Sequence, residues 1–239
     1  MSELRQVYLA PAWLLHRYPY RDTSLILELL SRDHGRIGLV ARGARAPRRG
    51  KSVFGPFEPL LVSFRRRGEL GTLLEAESVG SAYGFSGKCF LAACYLNELV
   101  LRLLPRDDPA PDVYAIYTEA LAVLAPEPAP AVRRFEGRLL RMLGWVPPLG
   151  RDGSGAALVS TRHYRYDPQL GPVSVNEKDG WTGDMFAAIA AERFDDPLVL
   201  AAAAGIFRDV IAYHLGGRRL KSLDVARAVT RASQRSAET

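Results

Sequence analysis

Cysteine and histidine are scarce in this sequence, and long apolar runs are absent. The two cysteines, Cys89 and Cys94, stand five apart in one apolar segment. That supports neither a disulfide framework nor a zinc site, which would need a second Cys/His pair, and buried free thiols are the reading. The four histidines, His16, His34, His163 and His214, have no ligand-type partner at i+3 or i+4, so neither a helical zinc pair nor a local catalytic dyad is present. No serine sits in a G-x-S-x-G elbow. No stretch reaches the ~18 uninterrupted apolar residues of a membrane span, and MSELRQVYLAPAWLL has neither a basic n-region nor a small-residue cleavage site. These absences lead us to expect a cytoplasmic protein with no membrane association, metal, cofactor or enzymatic activity.

Acidic residues are also missing from one place, and there base is dense. Between Asp33 and Glu58 no acid occurs, while Arg36, Arg42, Arg45, Arg48, Arg49 and Lys51 do. Residues 1–80 carry 13 Lys/Arg against 8 Asp/Glu, so the first third supplies most of the net charge of +6. A cationic block of this kind suits a polyanion, because each cation set against a phosphate releases condensed counterions. The same block also reads as a solvated loop.

With 239 residues, 48% of them hydrophobic and 24% charged, the chain has apolar material for one or two ordinary domains. The opening 80 residues read as strands: Val7 to Arg17, Ser24 to Ser31, Arg36 to Arg42, Leu60 to Arg66 and Leu70 to Ser78. Ile37, Leu39 and Ala41 alternate with their neighbours at the period of a half-buried strand. Five short strands and a basic connection predict a small closed barrel such as an OB-fold, with a sandwich fragment as the alternative.

After Gly87 the period changes. Val113, Ile116, Tyr117, Ala120, Leu121 and Leu124 form one apolar helical face, and similar patterns predict helices at about 88–104, 131–143, 197–215 and 222–233. Ser222 is the N-cap candidate for the last of these, and a frayed tail is expected from Ser233. Thr161 to Tyr166 and Pro172 to Val175 read as a small β-hairpin. The expected architecture is therefore α+β: an OB-fold over 1–80, then an all-α domain over 81–239 with a hairpin insertion.

Gly50-Lys51-Ser52 resembles the end of a phosphate loop, but the glycine that motif needs is replaced by Arg45, so ATP binding is excluded. Gly150, Gly153 and Gly155 follow a Pro-rich break instead of a strand and read as a plain loop. Arg17-Tyr18-Pro19-Tyr20-Arg21 interleaves rings with guanidinium groups in a turn, the combination that holds single strands by stacking and phosphate neutralisation; equally, the tyrosines pack the barrel end. On helix 131–143, Arg134, Arg138 and Arg141 share a face apart from the apolar stripe, which suits an acidic peptide or plain solvent.

The chain resembles the bacterial RecO family over nearly its whole length. The resemblance runs through Trp13-Leu14-Leu15, Asp22-Thr23-Ser24, Asp33-His34-Gly35-Arg36, Val40-Ala41-Arg42-Gly43-Ala44-Arg45, Pro56-Phe57 and Gly68-Glu69-Leu70. It continues with Tyr95-Leu96-Asn97-Glu98-Leu99, Arg133-Arg134-Phe135-Glu136 and Leu220-Lys221-Ser222. It implies an OB-fold followed by a helical domain, and a protein that binds single- and double-stranded DNA. It further implies annealing of strands coated with single-stranded-DNA-binding protein, and loading of RecA together with RecR. Some members carry a four-cysteine zinc module; the corresponding region, about 148–176, has no cysteine here, so a zinc-less type is expected. The acidic tail of single-stranded-DNA-binding protein ends in an apolar ring and a carboxylate. Arg133, Arg134 and Leu139 are the expected receptor for it, and the residues from Arg17 to Lys51 named above are the expected DNA contacts. The alternatives are an OB-fold RNA-binding or ribosome-associated factor and, more remotely, a hydrolase with a non-local site.

Overall fold

The computed structural model describes residues 4–44, 55–146, 149–176 and 179–237, with side chains described through Val229 in the last segment. The chain falls into two compact units, one of Met1–Leu121 with Leu220–Thr239 and one of Ala122–Arg219.

The first unit is built on a closed five-stranded barrel: β1 (Arg5–Tyr20), β2 (Ser24–Ser31), β3 (Gly35–Ala41), β4 (Pro59–Arg66) and β5 (Leu70–Ser78), in the order β1-β2-β3-β5-β4. The long β1 makes closure possible, pairing with β4 through its first half and with β2 through its second. A short parallel match of β3 with β5, Gly38 to Val40 against Leu70 to Thr72, completes the ring. This is the OB-like barrel that the strand periods predicted. Ile37, Leu39 and Ala41 do point inward, joining Ala12, Leu14, Leu27, Leu29 and Phe64 in the core. Gly71 makes room at the closure, since a Cβ there would lie 2.6 Å from Leu39 Cδ2 and 3.2 Å from the Arg65 carbonyl oxygen, and Leu39 would have to shift.

Three helices belong to the same unit: α1 (Gly87–Leu103), α2 (Pro111–Ala122) and α6 (Lys221–Ala237). The register of β1 against β2 shifts between Leu14 and His16, so that Leu15 has no partner in the ladder. Its carbonyl would be a buried orphan. Asn97 of α1 donates to that carbonyl at 2.9 Å and accepts in turn from the Tyr117 hydroxyl of α2. The Trp13 indole N–H donates to Thr118 Oγ1 at 2.9 Å, a second tie from β1 to α2. The bulge thus creates the bond that docks the helices.

Helix α6 differs from expectation at both ends. Its span runs to Ala237, past Ser233, and Ser222 lies inside its first turn instead of capping it. The acceptor comes from α1: Glu98 receives the backbone N–H of Lys221 (3.0 Å) and of Ser222 (2.8 Å) and the Ser222 hydroxyl (2.7 Å). A carboxylate at a helix N-terminus satisfies orphan donors and complements the helix dipole.

The second unit holds α3 (Pro128–Met142), β6 (His163–Asp167), β7 (Gly171–Ser174), β8 (Trp181–Thr182), α4 (Gly183–Ala190) and α5 (Pro197–His214). The expected hairpin is β6 with β7, and β8 adds a short third strand, giving the order β7-β6-β8. Helix α4, unanticipated, starts at Thr182, whose hydroxyl accepts from Met185 N. α3 crosses α5 closely at Gly137, where a Cβ would stand 3.0 Å from Phe207 Cζ. α5 is long and apolar enough to cross a membrane by length and composition. It nevertheless carries exposed Arg208 and Asp209, and it buries Ala202, Ile206, Phe207 and Val210 in the core of this unit.

Candidate nucleic-acid interface

The β1–β2 hairpin brings four of the expected DNA contacts to one barrel end. Arg17 and Tyr18 lie near the end of β1, paired with Leu27 and Ile26, Tyr20 closes the strand opposite Ser24, and Arg21 begins the turn. Tyr18 is 44% exposed, so it does not pack the barrel end as an interior residue. Its ring lies 4.3 Å from that of His16, two residues back on the same strand. The Arg21 guanidinium sits 5.2 Å from the centroid of the Tyr20 ring, a cation–π geometry, and Arg21 takes a positive φ of 50° in the turn. Rings and cations presented together at a loop between barrel strands suit a flexible polyanion with unstacked bases.

The other expected contacts divide. Arg42 is exposed just after β3. Arg36 is half-buried on β3 and reaches Glu28 of β2 at 3.4 Å. Burial pushes its guanidinium below the ordinary arginine value; Glu28 opposes the shift and the nearby Arg106 reinforces it. Arg45, Arg48, Arg49 and Lys51 lie outside the described residues.

The sequence reading passed over two groups. The turn between β4 and β5 follows three consecutive arginines; Arg65 and Arg67 are exposed, and Arg66 is held bidentately by Asp107. The run is visible in the sequence as charge at the end of a strand pattern. Arg106 pairs with Glu28 from the segment after α1. No local pattern signals that pairing, because the two residues are 78 positions apart.

The expected tail receptor in the second unit is rearranged. Leu139 has no exposed surface and belongs to the core, which corrects its role as a surface acceptor of an apolar ring. Arg133 pairs with the buried Glu136 at 2.9 Å. The face expected to be open to solvent instead converges on one carboxylate: Arg138 grips Glu192 through two hydrogen bonds (2.9 and 2.8 Å), Arg141 donates at 2.7 Å and Arg134 approaches at 3.3 Å. Burial alone pushes the Glu192 carboxyl up, but Arg138 and Arg141 outweigh it and hold it below the usual range. Beside this cluster is a cavity of about 450 Å³ with Arg134 and Arg141 at its polar edge and Val146, Leu149, Ile189 and Phe207 as apolar lining.

Two family models cover this chain, that for the N terminal of recombination protein O over residues 4–82 and that for its C terminal over 86–224. The chain belongs to the RecO family. It is 41% identical over 228 residues to DNA repair protein RecO of Methylococcus capsulatus, covering 93% of this chain and 94% of the relative. With the protein of the same name from Chromobacterium violaceum the identity is 38% over 243 residues, covering 96% and 98%. With that from Alkalilimnicola ehrlichii it is 40% over 232 residues, covering 95% and 93%. RecO proteins are DNA repair proteins and recombination mediators, not enzymes.

The zinc module of some RecO relatives does not fit the donor set here. Among the described residues, no three His, Cys, Asp or Glu side chains are placed to hold a metal. Two aspartates in the corresponding region are already engaged in closing turns. Asp152 accepts from Ser154 N (2.9 Å), Ser154 Oγ (2.6 Å) and Ala156 N (3.1 Å). Asp167 accepts from Gln169 N (2.8 Å) and Leu170 N (3.0 Å). Side chain–backbone bonds of this type hold a turn without a metal.

Proposed function

We propose that this chain binds single- and double-stranded DNA, anneals complementary strands coated with single-stranded-DNA-binding protein, and with RecR helps load RecA during recombinational repair. It works in the cytoplasm, about the nucleoid, without making or breaking a covalent bond and without zinc. Residues 1–80 act as the DNA-binding domain and 81–239 as the helical domain, in which the zinc-module region at about 148–176 is degenerate. The supporting observation is a conjunction: a five-stranded OB-like barrel presents Arg17, Tyr18, Tyr20 and Arg21 at one end, on a chain that RecO models cover from residue 4 to 224.

Annealing requires two polyanions to be brought together without either being held so specifically that pairing is blocked. Arginine contacts to phosphate meet that need because they position without reading sequence. The connection containing Arg42, Arg45, Arg48, Arg49 and Lys51 supplies further cations of the same kind. The acidic tail of single-stranded-DNA-binding protein docks beside α3, its carboxylate drawn by Arg134 and Arg141 and its apolar ring by the adjoining cavity.

A strand-annealing assay with and without the cognate single-stranded-DNA-binding protein tests the reading. Acceleration under both conditions is expected. No acceleration under either refutes it, and stronger binding to RNA than to DNA of equal length replaces it with an RNA-binding function. For the tail, the double change Arg134→Ala, Arg141→Ala is expected to weaken binding of a fluorescent tail peptide by about 0.4–2 kcal/mol, two cations at ~0.2–1 each at an exposed rim. Bare oligonucleotide binding should be retained.

A further inference from the structure

Within the first unit, a groove of about 770 Å³ runs between the outer face of the barrel and helices α1 and α6. The barrel supplies His16, Tyr18, Glu28 and Arg36 to it, α1 and the segment after it supply Arg102 and Arg106, and α6 supplies Lys221. We propose that this groove is a subsite for one unstacked nucleotide of a single strand, with the helices as its second wall. The proposal rests on the DNA-binding reading above and adds residues outside the barrel to the DNA path.

The first argument is charge. Arg36 and Arg106 share Glu28, whose side chain is 4% exposed. Arg102 has only a 3.6 Å approach to Glu98, and Glu98 is already committed to the α6 N-terminus. The Lys221 ammonium makes no ion pair among the described residues. Four cations thus face two carboxylates, a surplus of about two charges in a partly apolar groove where each unmatched charge interacts more strongly than in bulk water. A ligand that meets the surplus carries two negative charges a few ångströms apart, as do the phosphodiesters on either side of one nucleotide.

The second argument is the remaining surface. Tyr18 and His16 present a paired aromatic face, and Leu70, Leu101 and Val225 add apolar lining. A base has two apolar faces and stacks on such rings without regard to sequence. Ile26, Glu28 and Arg36 lie on β2 and β3, the part of an OB-fold that receives oligonucleotides. Tyr18 stands just before the β1–β2 turn and Leu70 just after the β4–β5 turn, the two loops that flank that surface. The volume falls in the range of about 300–1,000 Å³ typical of sites that enclose a small ligand. An acidic peptide would satisfy the cations but would leave the ring pair without a planar partner. A duplex keeps its bases stacked and offers none to the groove.

The test uses the full-length protein, a fluorescent oligo-dT and a blunt duplex, titrated over a salt series. Arg102→Ala with Lys221→Ala should lower the log–log salt slope for oligo-dT by about 1.4, two phosphates at ~0.7 each, while changing duplex affinity by less than about 2-fold. Arg102→Lys with Lys221→Arg keeps both charges and should restore the slope, which separates a charge contact from a folding defect. Tyr18→Ala should cost oligo-dT binding about 5- to 150-fold, the loss associated with one stacked base. An oligonucleotide with a photoreactive base should crosslink to Tyr18 or His16. If the wild type binds oligo-dT and the double variant keeps its full slope, the groove proposal is overturned and the general DNA-binding reading stands. Loss of acidic-peptide binding in these variants with unchanged oligo-dT binding overturns it in favour of a peptide site. A wild type that binds no DNA removes both.

Discussion

Replacing Glu98 by Gln isolates what holds α6 to the rest of its unit. In the wild type, the Glu98 carboxylate accepts from Lys221 N, Ser222 N and Ser222 Oγ at 3.0, 2.8 and 2.7 Å, and its side chain is only 13% exposed. Glutamine keeps the shape and one acceptor oxygen but turns an NH₂ group toward a donor, and it removes the charge that the helix dipole favours. Loss of a helix N-cap costs about 0.5–2 kcal/mol, and charge-assisted bonds lie at the upper end of such values. We therefore expect about 1–2 kcal/mol, a 5- to 30-fold increase in the opening equilibrium of α6. The defect should be local, because the barrel core contains no residue of α6. Amide hydrogen exchange is the assay: residues 221–229 should exchange 5- to 30-fold faster, and the amides of β2 and β3 at unchanged rates. The same carboxylate sets a pH dependence. Burial pushes its pKa up, but the bonds from Ser222 and Lys221 and the charge of Arg102 more than offset this, leaving it below the ordinary 4.5. A group whose folded value is depressed contributes its stability above the unfolded pKa and loses it as pH falls through the folded value. Acidification below about pH 4.5 should thus release α6 in the wild type and do little more in the variant. Equal α6 exchange in the two proteins at neutral pH would falsify the capping role.

The second unit should behave comparably around Glu192: its depressed carboxyl contributes stability at neutral pH that disappears on acidification below the usual carboxylate range. Glu192→Gln should lower thermal stability at pH 7 by about 1–3 kcal/mol by removing the carboxylate charge that Arg134, Arg138 and Arg141 share, and an unchanged melting curve would refute the cluster's structural role. Gly35→Ala should cost more than about 2 kcal/mol, since Gly35 has φ of 63° and a Cβ there would stand 1.8 Å from the Asp108 carbonyl oxygen; a soluble variant with wild-type denaturant midpoint contradicts that packing. Tyr117→Phe withdraws a buried donor from Asn97 and should cost about 1–2 kcal/mol, read from chemical denaturation. A strong chelator should change neither the melting temperature nor DNA affinity, and stoichiometric zinc in protein purified without added metal would contradict the reading of residues 149–176.

The local signals in this sequence determined a great deal. Alternation at Ile37, Leu39 and Ala41 set the inward face of β3, and the i, i+3, i+4 spacing from Val113 to Leu121 gave the apolar face of α2. Both are short-range periods, legible because one residue's direction fixes its neighbours'. The turn after Arg17-Tyr18-Pro19-Tyr20 was legible because a turn is local, whereas the fold decides whether its tyrosines pack the barrel end or face outward. Tertiary structure decided what depends on distant partners. Whether Arg134, Arg138 and Arg141 face solvent depends on Glu192, about 50 residues away. The acceptor for α6 is a side chain 123 positions upstream, and the Leu15 carbonyl needs Asn97 only because a bulge removes it from the ladder. Hydrogen bonds and ion pairs act over a few ångströms and carry no periodic trace along the chain, so these groups find their partners only once the fold has brought them together.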